Sequence, residues 1–368
     1  MPKPEGPFAM NVRRDRPLFL SMIMLGGLAI SGPWTRAEDP SARPLRAGMI
    51  GLDTSHATAF TGLLNAKSPK PELAGVRVTA AFPGGSADIP SSRDRVPEYT
   101  KEMREKLGVE IVSSIDELLG QVDVVLLESV DGRPHLAQAA AALRAHKPLF
   151  IDKPFAGSLA DGLAIAALAR ETKTPCFSSS SLRFSPAIAP LAHDPRVGDV
   201  VGCEAFSPCH LEPHHPDLFW YGIHGVETLY TFMGMGCLTV ARTQTEGTDL
   251  AVGVWGGGRV GTFRGVRQGR ADYGATVFGS KSIVKSGGYG GYEPLVVEIV
   301  RFFKGGRPPV SLDETIEILA FMEAADQSKR QGGKPVAIKD VMAQARAELA
   351  ARASASRLKP QARSQPGS

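Results

Sequence analysis

Between Leu45 and about Ser180 six short apolar runs alternate with helical stretches, and no other feature constrains the fold of this chain as tightly. The runs are 45–51, 76–82, 109–113, 123–128, 148–151 and 175–179, and the clearest helical patterns are 97–107, 134–145 and 158–171. Short strands separated by helices join through right-handed crossovers, which predicts a parallel, doubly wound sheet. In such a sheet ligands bind outside the carboxyl ends of the strands. The loop 83–96 leaves one of those ends and is long for such a unit, and long loops in compact domains are often functional.

After about residue 195 the pattern changes. Runs at 199–206, 237–244, 249–255, 259–264 and 273–285 follow one another with turns between, as in an antiparallel sheet, and a helix from about Ile223 to Met233 interrupts them. Helices follow at about 292–304, 312–329 and 338–352. Past Glu348 there is no acid and little hydrophobe, so the tail to Ser368 reads as disordered. The expected fold class is α/β: a doubly wound domain over 45–182, an α+β domain with an open antiparallel sheet over 183–335, and a C-terminal helix and tail over 336–368.

The formal net charge of +4 is concentrated at one end, because residues 1–37 hold five Lys/Arg and two Asp/Glu, leaving 37 basic and 36 acidic residues beyond. A chain so balanced is not steered to nucleic acid or to an anionic membrane. Lys3, Arg13, Arg14 and Arg16 precede an apolar run from Leu18 to Ile30, and Thr35-Arg36-Ala37 offers small residues suited to cleavage. The run is shorter than the roughly 20 residues that span a bilayer. Residues 1–37 therefore read as an export signal, with a retained anchor as the alternative, and the expected location is periplasmic or otherwise outside the cytoplasm. The Arg13-Arg14 pair is similar to a twin-arginine signal, a route that carries a protein already folded and loaded with its cofactor. Cys176, Cys203, Cys209 and Cys237 show no metal-type spacing. Buried free thiols are expected, although export permits a disulfide.

Three stretches carry chemistry. The first, Arg46 to His56, reads as a buried strand, a tight turn and the start of a helix, where a dinucleotide pyrophosphate meets a helix N-terminus. Its G-x-G-x-x-G positions are Gly51, Asp53 and His56, so only the turn glycine is present. A carboxylate at the second position opposes a phosphate, unless Asp53 turns away while Thr54 and Ser55 offer hydroxyls. The other reading is a structural turn that binds nothing. The second strand ends Phe82-Pro83-Gly84-Gly85-Ser86, without the carboxylate that holds ribose hydroxyls. Gly84 to Ser86 with Arg93 or Arg95 would suit a 2′-phosphate, favouring NADP over NAD, against plain solvation of the arginines. The second stretch, Leu149 to Pro154, ends a buried strand in Asp152-Lys153-Pro154. Pro154 keeps Lys153 extended, so the amine projects at the strand end, where it can serve as general acid or base; a solvated loop lysine is the alternative. The third, Cys209 to Glu227, holds four of the eight histidines. His224 and Glu227 share a helix face, and His224 is the candidate proton relay or substrate ligand. Prolines scatter His210, His214 and His215 on an irregular loop without standard ligand spacing, and no metal is assigned.

In this order, MIGLDTSH, FIDKPFAGS, SSLRFSPAI and YGIHGVETL resemble the glucose–fructose oxidoreductase/inositol dehydrogenase (Gfo/Idh/MocA) family over about residues 45–335. The resemblance implies a Rossmann domain, an open C-terminal sheet through which subunits often join as homo-oligomers, and NAD(P)-dependent redox chemistry on a sugar or cyclitol carbon. The family's glutamate–lysine–proline motif matches Asp152-Lys153-Pro154, which makes Lys153 the catalytic lysine by carry-over. Its aspartate-x-x-x-histidine motif matches at His224 alone, because Trp220 stands in the aspartate position. Cofactor contacts are expected from Gly51, Asp53, Thr54, Ser55, His56, Ser129, Asp152 and Lys153, with the loop from Ser129 to His135 one residue longer than the family's threonine–proline loop. Tyr221 and Asp217 are candidates to replace the missing aspartate. Trp220 suits stacking on a sugar ring, and Arg183, Arg264 and Arg267 are candidate substrate ligands. Three readings stay open: an NAD(P)-dependent oxidoreductase, an NAD-dependent glycosidase acting by transient oxidation and elimination, and a non-catalytic carbohydrate-binding protein with a lost dinucleotide site.

Overall fold

A computed structural model of the chain describes residues 43–358, so the predicted export signal and residues 359–368 lie outside the described residues. Strands β1 (Leu45–Ile50), β2 (Val76–Phe82), β3 (Glu110–Ile111), β4 (Val124–Leu127), β5 (Leu149–Ile151) and β6 (Cys176–Ser178) form one parallel sheet in the order β3-β2-β1-β4-β5-β6. Between them run α1 (Ser55–Leu64), α2 (Pro90–Arg93), α3 (Val96–Glu105), α4 (Ile115–Gln121), α5 (His135–Arg144) and α6 (Leu159–Thr172). All four residues of β4 are buried apolar side chains, as a central parallel strand covered on both faces requires. Thr54, Ser114 and Ser158 accept hydrogen bonds from the first turns of α1, α4 and α6, which sets where those helices start. Strand order reverses between β1 and β4, and this opens a crevice at their carboxyl ends.

The second sheet contains β7 (Val200–Pro208), β8 (Cys237–Gln244), β9 (Thr248–Trp255), β10 (Val260–Val266), β11 (Gly274–Gly279), β12 (Ile283–Lys285) and β13 (Val336–Ala337), in the order β12-β11-β7-β10-β9-β8-β13. Its pairs are antiparallel except β7 and β10, which run parallel, so the sheet expected to be antiparallel is mixed. The run 273–285 is a hairpin and not one strand, because the Gly279 N–H bonds to the Ser282 carbonyl and closes a turn. The helices are α7 (Asp217–Trp220), α8 (Ile223–Met233), α9 (Glu293–Phe303), α10 (Leu312–Arg330) and α11 (Ile338–Leu358), the last continuing past 352 into what had the composition of a tail.

α8 lies close on the second sheet because residue 225 is glycine: a Cβ there would stand 2.2 Å from the Phe263 ring. α9 returns to the first sheet, where Leu295, Ile299 and Phe302 share a core with Phe60, Phe150 and Phe177. The second half of the chain thus helps to build the first core. All four cysteines are buried and unpaired.

Candidate active site

The carboxyl ends of β1, β4 and β5, the loop before α8 and the segment before α9 enclose a cavity of about 400 Å³, within the usual size of small-molecule sites. Thr54, Ser55, His56, Val130 and Lys153 line it from the first sheet, and Trp220, Tyr221 and His224 from the side of α8. Tyr273, Tyr289, Tyr292, His210, Ser181, Leu182, Ser91 and Arg95 complete the wall.

The turn after β1 is built around Gly51, whose φ is +95°. A Cβ there would stand 2.4 Å from the Ser129 N, so no other residue fits without moving the chain. Ser129 itself is buried behind this turn and does not line the cavity. Asp53 is wholly buried and points away from the cavity, accepting hydrogen bonds from Ser92 Oγ at 2.6 Å and the Val130 N–H at 3.0 Å. Burial holds its carboxyl above the ordinary range, against those two donors. Thr54 caps α1, and Ser55 is exposed at the helix start.

Lys153 follows β5, and its bond to Pro154 is cis. Its Nζ lies 6.0 Å from the centroid of the Tyr221 ring. On the opposite wall His224 Nδ1 shares a hydrogen with Ser180 Oγ at 2.8 Å. Burial, then the charges of Lys153 and His56, hold the His224 imidazole well below its usual pKa, so it is neutral at pH 7. The hydroxyls of Tyr221 and Tyr273 meet at 2.9 Å. On the cavity floor His56 Nδ1 lies 2.6 Å from Asp152 Oδ2, with the imidazole stacked on Phe60 and edge-on to Tyr292. Glu128, just past β4, is fully enclosed beside them. Burial and the Asp152 charge push the Glu128 carboxyl well up. Burial acts the same way on Asp152, but the charges of His56 and Lys153 together hold it below the usual carboxylate value.

Four sequence candidates fall elsewhere. Asp217 is bound by Lys329 at 2.6 Å and Arg242 at 3.1 Å, away from the cavity, so it does not stand in for the missing aspartate. Arg183 is enclosed between Glu227 and Glu314, each at 2.8 Å, and ties α8 to α10 instead of meeting substrate. Arg264 is exposed on the sheet face opposite the buried Phe263. Arg267 bonds to Asp249 and to the carbonyls of Thr245 and Glu246. Of the two arginines weighed for a 2′-phosphate, Arg95 lines the cavity, while Arg93 pairs with Asp94 at the surface. His214 bonds to Glu212 and His215 to the Gly132 N–H, so the histidine-rich loop does not converge. Sequence reasoning missed Tyr273, Tyr289, Tyr292 and Glu128. A signal existed for two of them in the glycine-rich run Ser286 to Tyr292, which carries aromatics where a plain linker would not.

Residues 45–179 match the model of the oxidoreductase family with an NAD-binding Rossmann fold, Gfo/Idh/MocA. No curated protein sequence matches the chain. Among solved structures, a probable dehydrogenase from Thermotoga maritima aligns with a TM-score of 0.67 at 20% identity, covering 81% of this chain and 100% of that one. Myo-inositol 2-dehydrogenase from Lactobacillus plantarum aligns with a TM-score of 0.67 at 16% identity, covering 80% and 99%. Scyllo-inositol dehydrogenase from Lactobacillus casei, with bound NAD(H) and scyllo-inositol, aligns with a TM-score of 0.65 at 12% identity, covering 81% and 100%. These likenesses extend the shared fold over both sheets, while the match to the Gfo/Idh/MocA oxidoreductase model is confined to residues 45–179 of the first sheet.

Proposed function

We propose that this NAD-binding oxidoreductase acts on a sugar- or cyclitol-like polyol, with Lys153 as the group that moves the hydroxyl proton. The observation that carries the reading is the pairing of Lys153 and His224 across one cavity, each with a nitrogen that no other side chain among the described residues holds. The names of the inositol dehydrogenases that share the fold support the substrate class.

A dinucleotide fits the crevice because Asp53 is turned away and already bonded, so its carboxylate does not face a pyrophosphate at the start of α1. Gly51 lets the chain approach closely, and Ser55 with the first-turn N–H groups of α1 would hold the phosphates. Ser91 and Arg95 line the same cavity, and Arg95 would suit a 2′-phosphate. When bound, the nicotinamide supplies the hydride chemistry. The chain's own residues do the rest. Lys153 Nζ takes or returns the proton of the substrate hydroxyl. His224, fixed by Ser180, orients that hydroxyl, while Trp220 and Tyr221 offer flat faces to the ring carbons.

Substitution Lys153→Ala is expected to lower kcat at least about a hundredfold on a panel of inositols and aldoses. A thermal shift with NAD(H) or NADP(H) should persist, since the other cofactor contacts remain. A variant that turns over at the wild-type rate overturns the role of Lys153. No thermal shift in the wild-type protein with any of the four nucleotides would favour the carbohydrate-binding reading instead. We further read residues 1–37 as an export signal, which the N-terminal mass of the protein from its native host tests.

A further inference from the structure

We propose that His56, Glu128 and Asp152 form a binding site for one divalent transition-metal cation on the floor of the cavity. β4 and β5 are adjacent and in register, with Leu127 opposite Ile151, so Glu128 and Asp152 follow the two strands side by side. His56, in the first turn of α1, closes over them. One ligand atom from each residue lies within 4.8 Å of the other two, and all three residues are buried.

The unpaired atoms argue for an ion. Glu128 is fully enclosed, and among the described residues neither of its carboxylate oxygens has a hydrogen-bond partner; Asp152 Oδ1 has none either. Three orphaned oxygens on neighbouring carboxylates are unfavourable as they stand. A dication at their centre satisfies all three. The fourth donor atom is present too, because His56 Nδ1 already lies 2.6 Å from Asp152 Oδ2. Metal–ligand bonds of about 2.1 Å hold neighbouring donors roughly 3 Å apart. The pair therefore opens by a few tenths of an ångström as the ion replaces the shared proton, which leaves to solvent.

One imidazole with two carboxylates selects Zn²⁺, Mn²⁺ or Fe²⁺ over Ca²⁺ and Mg²⁺, which favour oxygen-only shells. Four donor atoms from three residues complete a tetrahedral shell, and a five- or six-coordinate ion keeps further positions for water. Of the three ligands His56 lines the cavity, with Lys153 beside it, while Glu128 and Asp152 lie enclosed behind. The site also gives a reason for the imidazole at the third fingerprint position, where a glycine would supply no donor.

The test uses the full chain without a histidine tag, stripped with EDTA and titrated with Zn²⁺ or Mn²⁺ by calorimetry and with Co²⁺ by visible absorption. Wild type is expected to take up one ion per chain and to give the Co²⁺ ligand-field bands of a low-symmetry site. Glu128→Gln and His56→Ala should each weaken binding by about two orders of magnitude. Glu128→Gln keeps the side-chain volume, so its circular dichroism without metal serves as the folding control. If that variant does not fold, the His56→Ala titration decides. Wild type that binds no ion at millimolar metal overturns the assignment, as does binding that persists in both variants. Neither result bears on Lys153, whose test reads turnover.

Discussion

The carboxylate of Asp53 accepts hydrogen bonds from Ser92 in α2 and from the Val130 N–H after β4, so it fastens the start of α1 to two other segments. Asp53→Ala leaves a buried N–H and hydroxyl unpaired and should lower stability by about 1–3 kcal/mol in urea unfolding. Asp53→Gly restores the motif's second glycine, yet it should lose the same bonds and gain no affinity for NAD(P), as a titration of each variant will show. At this scale the sequence was legible where a motif names an atom: Lys153 and His224 both line the cavity. It misled where a neighbour decides the direction of a side chain. Strand parity is the clearest case, since Phe263 faces α8 and Arg264 must then face away. Glu128 was visible only as the end of a strand, because its closeness to Asp152 depends on which strands pair.

The loop between β7 and α7 is held by His215, which joins elements that the sequence could not relate. Its Nε2 accepts the Gly132 N–H at 3.1 Å and its Nδ1 hydrogen goes to the Pro216 carbonyl at 3.1 Å, a pattern that needs the neutral ring. Burial is the main cause that lowers its pKa from 6.5 to about 4. The unfolded chain binds the extra proton first, so this stability is present above pH 6.5 and is lost as pH falls through 4. Between pH 7 and pH 5 the loss from this residue is about 2 kcal/mol. Urea unfolding at both values should show the wild-type advantage over His215→Gln shrinking by that amount; a constant difference would remove His215 as the cause. Most strands and helices were legible to within a few residues, because apolar runs and caps are local signals. The parallel β7–β10 pair and the return of α9 to the first sheet were not, since both are choices among distant partners.

At the scale of the molecule, α8 and α10 pack on the second sheet and leave its other face partly open. Val254 opposite Val260, Val252 opposite Thr262 and Leu250 opposite Arg264 form rows across β9 and β10, with Phe206 beside Arg264 on β7. Val254 and Val260 are 37% and 44% exposed. A second copy of the chain laid on this face would cover those rows, as the family resemblance leads one to expect. Light scattering should then find a dimer or higher oligomer, and the double substitution Val254→Lys, Val260→Lys should return it to monomer with unchanged circular dichroism. A monomeric wild type at micromolar concentration sinks the expectation. Fold class was the most legible property at this scale, because the alternation of runs and helices over residues 45–180 admits few alternatives.

The chain has three tryptophans, Trp34, Trp220 and Trp255. Trp255 is sealed in the core beside Tyr230 and Phe321, whereas Trp220 stands in the cavity wall. In a chain that begins after residue 37, one indole is therefore a constant lamp and the other an indicator. A ligand that packs against Trp220 and does not absorb its emission is expected to change the fluorescence of that indole, so the protein would report the filling of its own site without a label.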